Sequence, residues 1–241
     1  MVASDPAIVV LSAIEEKRSL ADRAPLVVGI GGSVAVGKST LAERVRDAAG
    51  RSGSQVTVIG TDGFLFPNSV LSERGLLDTK GAPNTYDEGA LLDAVALLRR
   101  GSTELVVPVY SHRTFDVEAG ESVVIGDVVI IEGVNALQPT LVGAYDLAIY
   151  LDADEPVVVG WFVERFLTMV RAAERDERSF YRRFVSLDHA GRESMALSVW
   201  TAINAPNLHQ FVVPTRDHAD LIVRLDDAHN VVTVTRPPSE R

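Results

Sequence analysis

Near-continuous β-branched runs alternating with helical stretches predict an α/β fold, a mostly parallel sheet covered by helices on both faces and carrying a helical insertion. Two features point there. Segments such as LVVGI (26–30) and VVIIE (128–132) are apolar along their length, as strands buried on both faces are, and do not alternate. Between them lie segments rich in Ala, Glu and Arg with helical periodicity. With 241 residues, 46% of them hydrophobic, the chain can bury one substantial core, so the expected organisation is one domain over 1–241.

The elements follow in order. Spacing from Pro6 to about Arg23 predicts an N-terminal helix within 1–24, and Pro25 introduces the strand that stops at Gly31-Gly32. A helix is expected from Lys38 to about Ala49, then a strand, QVTVIG, ending at Thr61-Asp62. Gly63 to Asp87, with Pro67, Gly75, Gly81 and Pro83, reads as loop. ALLDAVALLRR reads as a helix and ELVVPVY as a strand; SVVIGDVVIIEG holds two strands around a Gly-Asp turn, and DLAIYLDA another. About 155 to 205 is helical and strongly charged, an acceptor-site lid or insertion over the sheet. LIVRL and VVTVT close the chain as strands with a turn at 227–230.

Composition narrows the function classes. A net charge of −10 argues against a nucleic-acid partner, which needs a dense cationic surface. The absence of cysteine excludes disulfides, thiolate catalysis and Cys-based metal sites. The N-terminal apolar patch is broken by Glu15, Glu16, Lys17 and Arg18, unlike a signal peptide, and no run approaches the roughly 18 apolar residues of a membrane span. A cytoplasmic protein without a membrane partner is expected.

Gly32-Ser33-Val34-Ala35-Val36-Gly37-Lys38-Ser39 fits G-x-x-x-x-G-K-[ST] between a predicted strand and helix, the setting of a phosphate-binding P-loop, so the sheet is expected to be of the P-loop NTPase type. The glycines let successive N–H groups face a polyphosphate, and the helix N-terminus adds positive potential. Lys38 can reach the β- and γ-phosphates, and the Ser39 hydroxyl can ligate Mg²⁺. Asp62 ends the next strand, where a parallel sheet sets its C-terminal edge beside the phosphate loop; it is either a base for an acceptor hydroxyl or an Asx-turn residue before Gly63. Glu132 ends VVIIE in the same way and is either a Mg²⁺ ligand or a turn or capping carboxylate. Three strand ends, at Gly31, Asp62 and Glu132, thus converge on one edge.

GGSVAVGKST, TDGFLFPNSVLSERGLL, KGAPNTYD, PVYSHRTFDV, VIIEGVNALQ, WFVERFL and WTAINAPNLHQFVVPTRDHADLIV together resemble the bacterial type I pantothenate kinases, within the wider group of phosphoribulokinase and uridine kinase. The resemblance implies an ATP- and Mg²⁺-dependent kinase that phosphorylates the hydroxyl of pantothenate, a small-molecule substrate. It implies Asp62 as catalytic base, Tyr110 and His112 as acceptor-holding residues, and Arg165, with Lys38, as stabiliser of the transferred phosphoryl group. By the same resemblance Thr40 joins the nucleotide loop, Asn204 hydrogen-bonds pantothenate, and His229 packs on adenine. Read without it, Tyr110 and His112 are strand-end polar residues, Arg165 a solvated helix charge, and His229 a turn residue beside Asn230. Trp161, Phe162 and Phe166 are spaced as an apolar helix face, either core or substrate wall.

The chain departs from the family pattern in three places. Only about 28 residues precede the P-loop, fewer than in the family, whose members pair as homodimers. Phe162 stands where the family has a pantothenate-binding tyrosine, which keeps a nucleoside or sugar acceptor as an alternative. Glu43 stands where the family places a base that binds coenzyme A phosphates, and a carboxylate there would repel them. A third class, a nucleotide-dependent switch without an acceptor, would leave Asp62, His112 and Arg165 idle, and its guanine-reading N-K-x-D motif is absent.

Overall fold

The computed structural model describes residues 5–20 and 25–237. At its centre a six-stranded sheet runs in the order β2-β5-β1-β6-β7-β8, with β1 Leu26–Gly32, β2 Val56–Gly60, β5 Val128–Glu132, β6 Leu147–Asp152, β7 Leu221–Leu225 and β8 Val231–Thr235. All neighbours are parallel except β7 and β8, so the mostly parallel sheet expected from the sequence is present. β1 is buried at every position, which is why its sequence shows no alternation. A separate antiparallel pair, β3 Glu104–Ser111 with β4 Asp116–Val124, stands beside it.

The helices are α1 Pro6–Ser19, α2 Lys38–Arg51, α3 Asn68–Glu73, α4 Glu88–Arg99, α5 Pro139–Val142, α6 Glu155–Ala173 and α7 His189–Val199. Asp5 caps α1, its carboxylate accepting from the Ala7 N–H at 2.8 Å, and also pairs with Arg44 of α2 at 2.6 Å. The sequence carried this helix to about Arg23; it ends at Ser19, and 21–24 lie outside the described residues.

Other differences have local causes. The 63–87 loop contains α3, too short for periodicity to reveal. β4 begins at Asp116, not near Ser122, because its first half, DVEAGE, is mostly exposed and lacks an apolar face. The helical region passes 205: Trp200–Asn204 and Leu208–Val212 are π-helical turns flanking a short α-helical step, and a tight helix Val213–His218 follows. Pro206 lies inside this run, and widened turns relieve the clash a proline ring makes with the preceding turn's carbonyl.

Two glycines fix how the edge of the sheet is built. Gly32 has φ 141°, and a Cβ on it would overlap the Leu151 carbonyl oxygen of β6. Gly63, in the tight turn Thr61–Phe64 after β2, presses so closely on β3 that a Cβ would overlap the Pro108 carbonyl oxygen. That packing seats the Asp62 turn against β3. Gly63→Ala is therefore expected to lower stability by about 1–3 kcal/mol, read from the urea midpoint, because the obstructing atoms are backbone.

Candidate active site

The phosphate loop joins β1 to α2. Gly37 is the N-cap of α2 and offers no side chain to its first N–H groups, so those donors are left facing the loop. Ala35 holds φ 63°, a left-handed turn within the loop. The Ser33 hydroxyl is buried and without a hydrogen-bond partner among the described residues. Lys38 is only 7% exposed, and its ammonium donates to the Ser33 carbonyl at 2.8 Å. Burial pulls this ammonium below the usual lysine range, and Arg165 adds to that, while the Glu132 and Asp62 carboxylates oppose it. An unpartnered hydroxyl, unclaimed N–H groups and a desolvated ammonium around one loop fit a polyphosphate.

Glu132, at the end of β5, accepts from the Ser39 hydroxyl at 2.8 Å. Burial pushes its carboxyl above the ordinary range, against Lys38 and the Ser39 hydrogen bond. Of the readings left open by the sequence, the turn-or-cap one does not describe it: among the described residues its carboxylate bonds no backbone N–H, and it meets the first turn of α2 across the sheet edge. Two adjacent oxygen ligands from the protein, with phosphates supplying others, is how kinases usually hold Mg²⁺, so Ser39 and Glu132 fit that ion.

Asp62 lies two residues beyond β2, in the tight turn and not at the strand end. Among the described residues no backbone N–H bonds its carboxylate, so it is no Asx turn; instead Oδ1 accepts from the Tyr86 hydroxyl at 3.0 Å. Gly31, Asp62 and Glu132 do converge, since Ile30 and Gly60 flank Glu132 in register.

From this edge opens a cavity of about 990 Å³, lined among others by Ser33, Lys38, Asp62, Glu132, His112 and Arg165. Tyr110, Phe162 and Asn204 line it too, so every acceptor residue named from the sequence meets there. Arg165, on α6, is no solvated helix charge; it lies 3.1 Å from His112 Nε2. Burial and then Arg165 hold the His112 imidazole below its ordinary range, with Asp62 opposing; a guanidinium only donates, so Nε2 is the acceptor in their contact. Tyr110 meets His112 edge to face, with centroids 5.1 Å apart.

His229 stands elsewhere, on the far side of the loop. Its ring lies within 4 Å of where a Gly37 Cβ would be and stacks on Trp161 with centroids 3.9 Å apart and planes 14° from parallel. Trp161 packs partly buried against the core and does not line the cavity, and its indole N–H donates to the Asp227 carbonyl at 3.2 Å. Phe162 packs near Trp200, centroids 5.6 Å apart, and Phe166 is buried against Tyr181 and Phe184. Glu43 forms an ion pair with Arg46 on the next turn of α2.

Sequence reasoning missed Lys80 and Tyr86. Lys80 donates at 2.7 Å to both Asn68 Oδ1 and the Phe115 carbonyl, with its ammonium over the Tyr110 and Phe115 rings. A compositional signal was available: lysine occurs only at 17, 38 and 80 in a chain otherwise reliant on arginine. Nothing in composition or spacing marked Tyr86.

Residues 27–169 match the phosphoribulokinase/uridine kinase family. A pantothenate kinase of Myxococcus xanthus is 43% identical over 227 residues, which cover 88% of this chain and 72% of that protein. One from Clavibacter michiganensis is 42% identical over 221 residues, covering 87% and 69%. Among solved structures, D-glycerate 3-kinase from Cryptococcus neoformans superposes with a TM-score of 0.63 at 16% identity, covering 95% of this chain and 97% of that one, a likeness of fold.

Lys80, which lines the same cavity, gives a direct test of structure. Lys80→Met leaves Asn68 Oδ1 and the Phe115 carbonyl without their donor, and is expected to cost about 1–3 kcal/mol by urea unfolding.

Proposed function

This chain belongs to the phosphoribulokinase/uridine kinase family, alongside its pantothenate kinases, and from that membership we propose that it transfers the γ-phosphoryl group of ATP to the hydroxyl of pantothenate. The observation that supports this most is the cavity that Asp62 and Lys38 both line, with the Asp62 charge acting on the Lys38 ammonium. Lys38 and the loop N–H groups from Ser33 to Thr40 hold the triphosphate. Ser39 and Glu132 hold Mg²⁺, which when bound offsets charge on the phosphate oxygens.

Asp62 takes the proton of the acceptor hydroxyl as its oxygen attacks the γ-phosphorus in line, and ADP departs. Arg165 meets the negative charge on the transferred group, and its contact with His112 sets the guanidinium at the cavity wall. Tyr110, His112, Asn204 and Lys80 supply polar contacts to the acceptor, while Phe162 supplies apolar wall. His229, backed by Trp161, offers its open face to the adenine beyond Gly37.

α6 thus serves both ends: Trp161 braces the base platform, and Phe162 and Arg165 face the acceptor. Residues 1–241 act as one kinase domain in this reading, with the region from about 155 to 205 as acceptor-site lid.

Coupled ADP release separates the acceptors: pantothenate is expected to support turnover and uridine or a simple sugar not, whereas turnover on either of those alone overturns the assignment. In the same assay Asp62→Asn should lower kcat on the order of 100-fold or more with ATP affinity unchanged. His229→Ala should weaken ATP binding roughly tenfold by calorimetry while leaving tripolyphosphate binding intact, since only the former has a base to stack.

A further inference from the structure

We infer that Tyr86 is a positioning residue for phosphoryl transfer, its hydroxyl fixing the Asp62 carboxylate so that Oδ2 is the oxygen offered to the acceptor. The inference rests on the proposed reading of Asp62 as base.

The phenol reaches Asp62 from a segment tied to the same turn. Leu65 and Tyr86 form an antiparallel bridge; the Phe66 N–H donates to the Thr85 carbonyl at 2.9 Å and the Asp87 N–H to the Phe64 carbonyl at 2.8 Å. Backbone bonds thus lie on both sides of the bridge, and the ring, 7% exposed, has little freedom to swing away. Its oxygen stands 3.0 Å from Asp62 Oδ1.

Chemistry decides which way the proton points. An ionised carboxylate only accepts, so at 3.0 Å the Tyr86 O–H donates to Asp62 Oδ1. The loop that carries Tyr86 is held from a second side. Asn135, 2% exposed, donates through Nδ2 to the Gly81 carbonyl at 2.8 Å and accepts through Oδ1 from Gln138 Nε2 at 3.1 Å. Gln138 is itself anchored, donating to the Phe211 carbonyl at 3.0 Å. Burial first, then the charge of Asp62, push the Tyr86 hydroxyl well above its ordinary range, so it stays protonated.

The consequence for chemistry is geometric. Among the described residues Asp62 Oδ2 accepts no hydrogen bond, and Asp62 lines the cavity. In the transfer step the acceptor O–H bond breaks, its proton passes to Oδ2, the new O–P bond forms and the bond to ADP breaks; Tyr86 keeps its proton throughout. The triad logic of a base oriented by a third group thus recurs with a phenol as orienter. The chain Phe211–Gln138–Asn135–Gly81 further ties the Tyr86 loop to the helical region that carries Asn204.

Tyr86→Phe keeps the ring and removes the hydroxyl. It is expected to lower kcat roughly 10- to 100-fold with little change in acceptor KM or ATP affinity, and with the thermal midpoint close to the parent's. Introduced into Asp62→Asn, the same change should cost almost nothing more, because the carboxylate it orients is gone. Full activity in Tyr86→Phe, or an equal loss in both backgrounds, overturns the inference. Should Tyr86→Phe not fold, Tyr86→His keeps a ring donor toward Asp62 and is expected to give a smaller loss confined to kcat; a loss confined to KM overturns it. If Asp62→Asn alone is fully active, it is the reading of Asp62 as base that fails.

Discussion

Burying the Lys38 ammonium is the constraint around which the site is arranged. At 7% exposure it loses most of its hydration, and the Ser33 carbonyl, one hydrogen-bond acceptor, returns only part of that. Two carboxylates, Glu132 and Asp62, supply the opposing charge, and both come from residues at or just beyond strand ends. An anion bound at the loop strengthens the same balance. The phosphate loop and the cavity beside it therefore share one electrostatic centre.

That centre is only as good as the sheet edge that holds it. Gly32 lets β1 turn beneath β6 without a side chain, and Gly63 lets the Asp62 turn lie against the β3 backbone. Both are places where an added methyl meets backbone, so the spacing between loop and carboxylate is set by packed main chain, with few rotamers involved. α6 then closes the arrangement from above. Successive residues Trp161 and Phe162 face different ends of the site, and Arg165 follows one turn later on the acceptor side.

What the sequence disclosed follows from how local each signal is. The five parallel strands are continuous apolar runs, and the phosphate loop is a contiguous motif, so both can be read directly from the chain. Asp62 and Glu132 stood out because strand ends in a parallel sheet gather on one edge, a rule of topology that needs no coordinates. By contrast, the partnership of Tyr86 with Asp62 depends on a bridge within a loop that has no periodicity, and Asn135 enters from a turn after β5. β4 escaped because half of it faces water with polar residues, and the π-helical turns because their widening is a response to Pro206 within a packed run.

The claim on which all of this converges is direct transfer between two substrates held in one cavity, with no phosphorylated side chain between them. The stereochemical course at phosphorus reports on it. With ATP made chiral at the γ-phosphorus by oxygen isotopes, a single in-line displacement is expected to invert configuration in the phosphorylated acceptor. Retention would require two displacements through a phosphoenzyme, and would contradict direct attack by an acceptor held in the cavity that Asp62 and Lys38 line.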